Sequence, residues 1–233
     1  MRDGRLRRAE RRMVVEGPHL LAAALGAGIQ PVAVFGTQAG LARPEVAALV
    51  RQSTAVVLSP GVFRGIVDAE TPPGVAAEVP IPVLEGDAPA VFLEGIQDAG
   101  NVGAIIRSAA AFGIRRVVLD RQCADPWSPK VLRAGMGGHF AVAVLQVEDL
   151  LAAIRGVRLI STVVKGGRPL READLSGRMG WAFGAEGAGL SQKLVDQAAE
   201  RVTIPMAGGE SLNVAAAAAV CLYEAFSRPA AGS

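Results

Sequence analysis

One stretch of this chain, residues 98–113 (DAGNVGAIIRSAAAFG), constrains its fold more than any other. It follows a short apolar run, residues 90–94 (AVFLE), that is typical of a buried strand. Apolar residues then recur at helical spacing, at Ile105, Ala109 and Phe112. Asn101 is a good helix N-cap, and Gly113 is typical of the residue that follows a helix. The stretch therefore predicts half of a β-α-β unit, whose helix N-terminus could hold an anion.

The same alternation of strand and helix patterns runs through both halves of the chain. Residues 13–84 predict a small α/β unit, and residues 90–233 predict a larger, doubly wound α/β sheet. Strands that alternate with helices favour a mostly parallel or mixed sheet covered on both faces. Residues 80–89 (PIPVLEGDAP) are rich in Pro, Gly and acidic residues and have no periodicity. We therefore expect two domains, residues 1–84 and residues 90–233, joined by a linker at residues 85–89.

Composition excludes several classes of protein. Hydrophobic residues make up 51% of the 233 residues and charged residues 20%, which is typical of a folded globular protein. Cys123, Cys221 and two histidines are too few for a disulfide framework or a metal site, so no metal is expected. Neither a transmembrane run nor a signal-peptide core is present, so we expect a cytoplasmic protein. Aromatic residues, at 4%, are too scarce for rows of base-stacking rings.

Positive charge is concentrated at the start of the chain, although the net charge is only +2. Residues 1–12 contain six arginines against two acidic residues, Asp3 and Glu10. A basic segment of this kind can contact phosphates, with Arg8 and Arg12 as candidates. It is equally compatible with a frayed, solvated terminus.

Arg107 is the anomaly within the 98–113 stretch, because it lies mid-helix among apolar and small residues. A lone arginine on a helix usually belongs to a solvated face. The spacing Asn-x-Gly-x-x-x-Arg-x-Ala-x-Ala-Phe-Gly, however, resembles the first motif of the SpoU (TrmH) family of RNA ribose 2′-O-methyltransferases. WAFGAEGAGLS (181–191) resembles the second motif, and VTIPMAGGESLNVAAAAAVCLYEAF (202–226) resembles the third. Three motifs in family order are a specific signal, which a lone G-x-G-x-x-G is not.

This resemblance implies a carboxy-terminal α/β domain (SPOUT) with a deep trefoil knot, whose threaded end forms the pocket for S-adenosylmethionine. It also implies a homodimer through that domain and methylation of a ribose 2′-hydroxyl in RNA, in a scheme that requires no metal. Arg-x-x-x-Arg followed by VVEG, and later AETPPGVAAEV, resemble the RNA-binding domain of the family's ribosomal-RNA members. That domain folds like a small ribosomal protein, so we expect large-subunit rRNA as the substrate.

Two other functions remain open on the same scaffold. One is 2′-O-methylation of tRNA, which the two-domain layout disfavours. The other is RNA binding or ribosome assembly without catalysis, which would not need every polar motif residue. The catalytic set implied by the resemblance is Asn101, Arg107, Glu186, Ser211 and Asn213. A Rossmann oxidoreductase is excluded, because no G-x-G-x-x-G follows a strand with an acidic residue downstream.

The resemblance also assigns binding residues. The cofactor pocket is expected to be lined by Gly184, Gly189, Ile204, Met206 and Leu212. In residues 123–140 (CADPWSPKVLRAGMGGHF), Lys130 and Arg133 are candidate RNA contacts, together with Arg8 and Arg12. Surface charge is the simpler interpretation of these cations, and an ordinary βα turn is the simpler interpretation of the glycines.

The third motif has a simpler interpretation too. The sequence predicts a terminal helix over about residues 212–226, with Ser211 as its N-cap and Asn213 one turn further in. This chain departs from the family pattern at Ala215 and at Gly135, where many members carry Ser. Those departures leave any substrate contact at these two positions open.

The resemblance to the SpoU family also implies a role for Arg107, because the matching arginine of that family is often described as the base that removes the ribose proton. An arginine offers no free lone pair at neutral pH, which makes it a poor base. We instead expect Arg107 to hold the target phosphate bidentately and to stabilise the developing 2′-alkoxide, with Asn101 orienting its side chain.

Overall fold

The computed structural model describes residues 3–51, 53–87 and 89–228 of the chain. Its strands form two sheets, one of four strands before residues 81–89 and one of seven strands after them. We call these the amino-terminal unit and the carboxy-terminal unit. Arg2 of the basic segment, Ala88 of the expected linker, and the chain end from Pro229 onward lie outside the described residues.

The amino-terminal unit has a mixed sheet, as the sequence pattern predicts. Its elements are α1 (Gly4–Glu10), β1 (Arg12–Glu16), α2 (Pro18–Gly26), β2 (Ala33–Thr37), α3 (Gln38–Leu41), α4 (Pro44–Leu49), β3 (Ala55–Leu58), α5 (Pro60–Ile66) and β4 (Val75–Pro80). The strand order is β1-β4-β2-β3. β4 is antiparallel to both of its neighbours, and β2 is parallel to β3.

The basic start of the chain forms a helix, so its interpretation as a frayed terminus is wrong for residues 4–10. Asp3 caps α1 by accepting the backbone N–H of Arg5 at 2.7 Å. The helix ends at Arg11, which has a left-handed conformation with φ of 51°. Arg7 on the inner side of α1 is buried, so this helix packs against the rest of the protein.

The carboxy-terminal unit is a doubly wound α/β sheet, and all of its paired strands are parallel. Its elements are β5 (Ala90–Glu94), α6 (Ala99–Ala111), β6 (Arg116–Asp120), α7 (Pro129–Gly135), β7 (Ala143–Val147), α8 (Leu150–Ala153), β8 (Arg158–Thr162), β9 (Arg168–Pro169), β10 (Met179–Gly184), α9 (Gln192–Gln197), β11 (Glu200–Thr203) and α10 (Val214–Ser227). The strand order is β7-β6-β5-β10-β8-β11-β9. β10 therefore lies between β5 and β8, with Gly184 paired to Glu94. The carboxyl ends of such strands, where the chain order reverses, form the usual ligand crevice of an open α/β sheet.

Helices cover both faces of this sheet. Alternate residues of each strand point to opposite faces and pack against different helices. Val91 of β5 belongs to the core beneath α6 and α10, whereas the adjacent Phe92 packs with Leu150 of α8 and Leu194 of α9. β10 is buried from Met179 to Phe183, with Trp181 fully enclosed. Strands buried on both faces explain the continuous apolar runs in the sequence.

Two helix starts differ from the predicted ones. Asp98, not Asn101, caps α6, and its carboxylate accepts the N–H of Asn101 at 2.9 Å. Asn213, not Ser211, caps α10. The predicted end of the first helix is confirmed, since Gly113 has φ of 72° immediately after the C-cap. Asn101 and Ser211 therefore do not have the capping role that the sequence predicted for them.

Ion pairs join the two units in addition to the intervening segment. Arg7 of α1 pairs with Asp125 at 2.6 Å. Arg133 of α7 pairs with Glu16 of β1 at 2.9 Å and with Asp68 at 2.8 Å. The apolar cores of the two units are also continuous. The relative position of the units is therefore set by packing and buried charge, not by the linker alone.

Candidate active site

A cavity of about 530 Å³ opens at the carboxyl ends of β8, β10 and β11. Three loops form its wall: the turn after β10, the loop after β8, and the segment between β11 and α10. The five residues expected to bind the cofactor all line it, namely Gly184, Gly189, Ile204, Met206 and Leu212. Glu186 and Ser211 line the same cavity. The second and third motifs therefore converge on one site.

The turn after β10 requires glycine because its two arms touch. A methyl group on Gly184 would lie less than 3.0 Å from the backbone of both Gly189 and Leu190. The turn is closed by the N–H of Gly189, which donates to the carbonyl of Ala185 at 2.8 Å. Gly189 itself has φ of 68°, which L side chains rarely adopt. At its far end the turn is tied to β5, where Glu94 accepts the N–H of Ser191 at 2.6 Å.

A chain of hydrogen bonds links all three motifs at the edge of the cavity. The Asn101 amide of α6 donates to the carboxylate of Glu186 in the glycine turn. The Asn213 amide donates to the Asn101 side-chain oxygen at 3.0 Å. The Asn213 oxygen in turn accepts the N–H groups of Ala215 and Ala216 at 2.9 and 3.2 Å. Asn213 is thus both a helix cap and a member of this polar set, which we call the asparagine bridge (Glu186, Asn101, Asn213).

Comparison with known proteins agrees with this arrangement. A sequence profile of the SpoU rRNA Methylase family matches residues 88–223. The chain belongs to this family. A profile of the MRM3-like substrate binding domain matches residues 1–77. Family membership also implies the trefoil-knotted fold that was expected from the motifs.

Individual relatives of this SpoU chain cover most of its length. It is 35% identical over 234 residues to an uncharacterized tRNA/rRNA methyltransferase of Synechocystis, covering 94% of this chain and 85% of the relative. It is 34% identical over 176 residues to the 23S rRNA (guanosine(2553)-2′-O)-methyltransferase RlmP of Bacillus subtilis, covering 72% and 70%. The structure of the SpoU methyltransferase AviRb from Streptomyces viridochromogenes, in complex with AdoMet, superposes with a TM-score of 0.83 at 26% identity. That superposition covers 96% of this chain and 92% of AviRb.

Arg107 of this SpoU chain stands apart from the cavity. It is exposed on α6 and is absent from the cavity wall. Within the part of the chain that the structure describes, it has neither an ion-pair nor a hydrogen-bond partner. The predicted orientation of Arg107 by Asn101 is not observed, because the Asn101 amide is occupied by Glu186 and Asn213.

The candidate RNA contacts separate into two kinds. Lys130 is exposed in the first turn of α7 and has no partner among the described residues. Arg133 is committed to the ion pairs between the two units. Arg12 pairs with Glu78 at 3.0 Å, and Arg8 lies 3.9 Å from an oxygen of Asp125. Three of these four cations thus have a carboxylate neighbour, which a reading of charge along the sequence cannot reveal.

Gly135 departs from the family pattern for a structural reason. A methyl group there would lie less than 3.0 Å from the ring of His139, which is fully buried. The Nε2 of His139 lies 2.9 Å from the carbonyl of Pro126, and the ring packs on Trp127 with centroids 5.5 Å apart. Burial lowers the pKa of His139 to about 4, so the ring is neutral at physiological pH.

Two contributors to the site were not predicted. The loop after β8 supplies cavity-lining residues, Lys165 among them, and Gly166 in this loop has φ of 78°. The glycine pair at 166–167 after an apolar strand was the available sequence signal for such a turn. The second contributor that was not predicted is Asp98, which caps α6 and thereby orients Asn101.

Two features are absent from residues 3–51, 53–87 and 89–228. No helix in these ranges has the length and apolar character needed to cross a membrane. Nor do three or more His, Cys, Asp or Glu side chains in them come together as metal ligands could.

Proposed function

We propose that this protein transfers a methyl group from S-adenosylmethionine to a ribose 2′-hydroxyl of large-subunit rRNA. The observation that carries the proposal is the asparagine bridge, which stands beside a cavity lined by every residue expected to bind the cofactor. A binding protein without catalysis would not need three motifs joined in this way. The names of RlmP and related 23S rRNA methyltransferases favour rRNA over tRNA. An rRNA substrate also supports a cytoplasmic location.

The cavity fits S-adenosylmethionine in size and chemistry. Its volume of about 530 Å³ lies within the range of small-molecule sites. Leu190, Ile204 and Leu212 offer apolar surface for an adenine ring. The glycine turn lets a ligand approach the backbone closely without a Cβ in the way. When bound, the cofactor supplies an electrophilic methyl group.

The protein's part in the reaction is mainly to position the ribose and to exclude water. Ser211 lines the cavity, and its hydroxyl makes no hydrogen bond with any residue that the structure describes. That hydroxyl is therefore available to the ribose. Glu186 and Asn101 hold each other at the rim, so the surface on which the ribose rests is formed before the substrate arrives.

Arg107 fits a role as an electrostatic contact to the RNA. It is exposed and, among the described residues, unpaired, which leaves its guanidinium free for bidentate binding of a phosphate. Arg107→Lys keeps the charge and loses the planar fork, so single-turnover methylation should fall by roughly 10²- to 10³-fold. Affinity for S-adenosylhomocysteine should stay within about two-fold. A new ionisation in the pH–rate profile of the lysine variant would instead identify this position as the base.

A homodimer through the carboxy-terminal unit is supported by exposed aromatic surface. Tyr223 and Phe226 of α10 are 57% and 61% exposed. Both pack on Phe112 at the end of α6, with ring centroids 5.7 and 5.9 Å apart. Exposed aromatic clusters of this kind usually mark an interface. Light scattering should give a dimer mass that Phe226→Glu reduces to a monomer mass, and a monomeric wild type would refute the assignment.

The amino-terminal part of the chain is proposed as the substrate-binding domain. We assign residues 1–84 to it, residues 85–89 to a linker, and residues 90–233 to catalysis, in agreement with the two sheets and the two profiles. Lys130, which is exposed in the first turn of α7 and has no partner among the described residues, is a candidate phosphate contact, together with Arg8 and Arg12.

The decisive experiment is methyl transfer to defined RNA. The purified protein is incubated with labelled S-adenosylmethionine and either transcribed 23S rRNA or a tRNA pool, and ribose methylation is mapped. We expect one methylated ribose in the rRNA, loss of transfer in Asn101→Ala, and unchanged transfer in Gln197→Ala, an exposed residue of α9. Methylation of tRNA alone would favour a tRNA 2′-O-methyltransferase. Cofactor binding without transfer to either RNA would favour an RNA-binding or ribosome-assembly protein without catalysis.

A further inference from the structure

The loop after β8 holds a lysine at the cavity wall. Residues 163–167 connect β8 to β9, and both ends of this loop are fixed to β11. The N–H of Val163 donates to the carbonyl of Val202 at 2.9 Å, and the N–H of Gly167 donates to the hydroxyl of Thr203 at 3.0 Å. Lys165 lies between these two anchors and lines the cavity. The position of its backbone is therefore fixed by the sheet.

Among the residues that the structure describes, no carboxylate pairs with this lysine. Charged side chains in the wall are Lys165, Glu186 and Arg201. Glu186 accepts a hydrogen bond from the Asn101 amide, a neutral group that does not cancel the charge of its carboxylate, and Arg201 pairs with Asp196 at 3.3 Å. Lys165 has no ion pair or hydrogen bond with any residue in the described ranges. Among the described residues, the cavity wall thus presents one cation that has no ion-pair partner, together with the carboxylate of Glu186.

We propose that Lys165 binds the α-carboxylate of the methionine moiety of S-adenosylmethionine. This inference rests on the proposed function. The carboxylate is the only anionic group of the cofactor, whose sulfonium and ammonium groups are cationic. A lysine ammonium on a flexible stem can reach such a group at the mouth of a cavity and donate up to three hydrogen bonds to it. Lys165 is then a binding residue that fixes the methionine end of the cofactor, while the glycine turn holds the other end.

The test compares two ligands that differ in the amino-acid portion. S-adenosylhomocysteine carries the carboxylate, whereas 5′-methylthioadenosine keeps the adenosine and thioether and lacks it. Isothermal titration of the full-length protein should show roughly three- to ten-fold weaker binding of S-adenosylhomocysteine to Lys165→Met. Affinity for 5′-methylthioadenosine should be unchanged, and Lys165→Arg should keep most of the wild-type affinity. Lys193→Met is the matched control, because Lys193 is exposed on α9 and does not line the cavity.

Each other outcome overturns the assignment in a distinguishable way. Equal weakening of both ligands would mean that Lys165 shapes the cavity and does not recognise the carboxylate. Unchanged affinity for both ligands, with weaker binding of rRNA, would assign Lys165 to an RNA phosphate. If wild type binds neither ligand, the proposed function itself fails, and this inference falls with it.

Discussion

Replacing Gly184 by Ala should both destabilise the protein and weaken cofactor binding. The added methyl group would lie less than 3.0 Å from backbone atoms of Gly189 and Leu190, which cannot rotate away. The two arms of the turn would have to separate by roughly 1 Å to restore ordinary contact. Such overpacking costs about 1–3 kcal/mol, and separation also breaks the bond from Gly189 to Ala185, worth about 1 kcal/mol. We therefore expect a loss of about 2–4 kcal/mol in the free energy of unfolding.

Gly187→Ala in the same turn is the matched control. A methyl group there meets nothing within 4 Å, and Gly187 does not have a positive φ. It should change stability by less than about 0.5 kcal/mol, or stabilise slightly by restricting the unfolded chain. Urea denaturation gives the stability, and calorimetry with S-adenosylhomocysteine gives the affinity, which should fall at least ten-fold for Gly184→Ala alone. Wild-type stability and affinity in Gly184→Ala, or an equal loss in both variants, would refute the close-approach argument.

Two further predictions concern buried charge and pH. Arg133→Met removes the partner of Glu16, whose side chain is 1% exposed, so unfolding free energy measured in urea should fall by about 1–3 kcal/mol. Lys130→Met on the same helix should have almost no effect, and an equal loss in both variants would contradict the role of the ion pair. Because burial lowers the pKa of His139 from 6.5 to about 4, the unfolded state takes up the proton first as pH falls. The unfolding free energy of the wild type should therefore decline by up to about 3 kcal/mol as the pH falls from 6.5 to about 4. The decline should be shallower for His139→Gln, and urea titrations at each pH measure both.

The resemblance to the SpoU motifs predicted which residues line the cavity, and local rules explain why those residues suit their positions. Gly184 and Gly189 follow an apolar strand, and a turn that packs against itself has few alternatives to glycine. Ile204 directly follows β11, and Leu212 lies just before α10, whose alanine run is a strong local signal. In an open parallel sheet, the carboxyl ends of neighbouring strands meet at one edge, so motifs placed after strands converge there.

Contacts between distant parts of the chain could not be predicted in this way. Arg133 and Glu16 are 117 residues apart, and no sequence pattern at either position predicts that they form an ion pair. The cap of α6 was misplaced for a related reason, since Asp98 and Asn101 are both acceptable N-caps by propensity. In the structure Asp98 caps the helix, and Asn101 lies one turn further in, where its amide reaches Glu186 from the second motif.

The same contacts would couple the proposed substrate-binding unit to the site of methyl transfer. A methyl group on Gly103 of α6 would lie less than 3.0 Å from the carbonyl of Val131, so α6 and α7 are in close backbone contact. α7 is in turn held to the amino-terminal unit through Arg133 and Glu16. Arg107 lies on α6, so packing, and not a flexible linker, sets its distance from the amino-terminal unit, to which we propose that the RNA binds. Under this proposal, a rigid connection favours methylation of a ribose at one set distance from the bound RNA element, which would give selectivity without reading the target base.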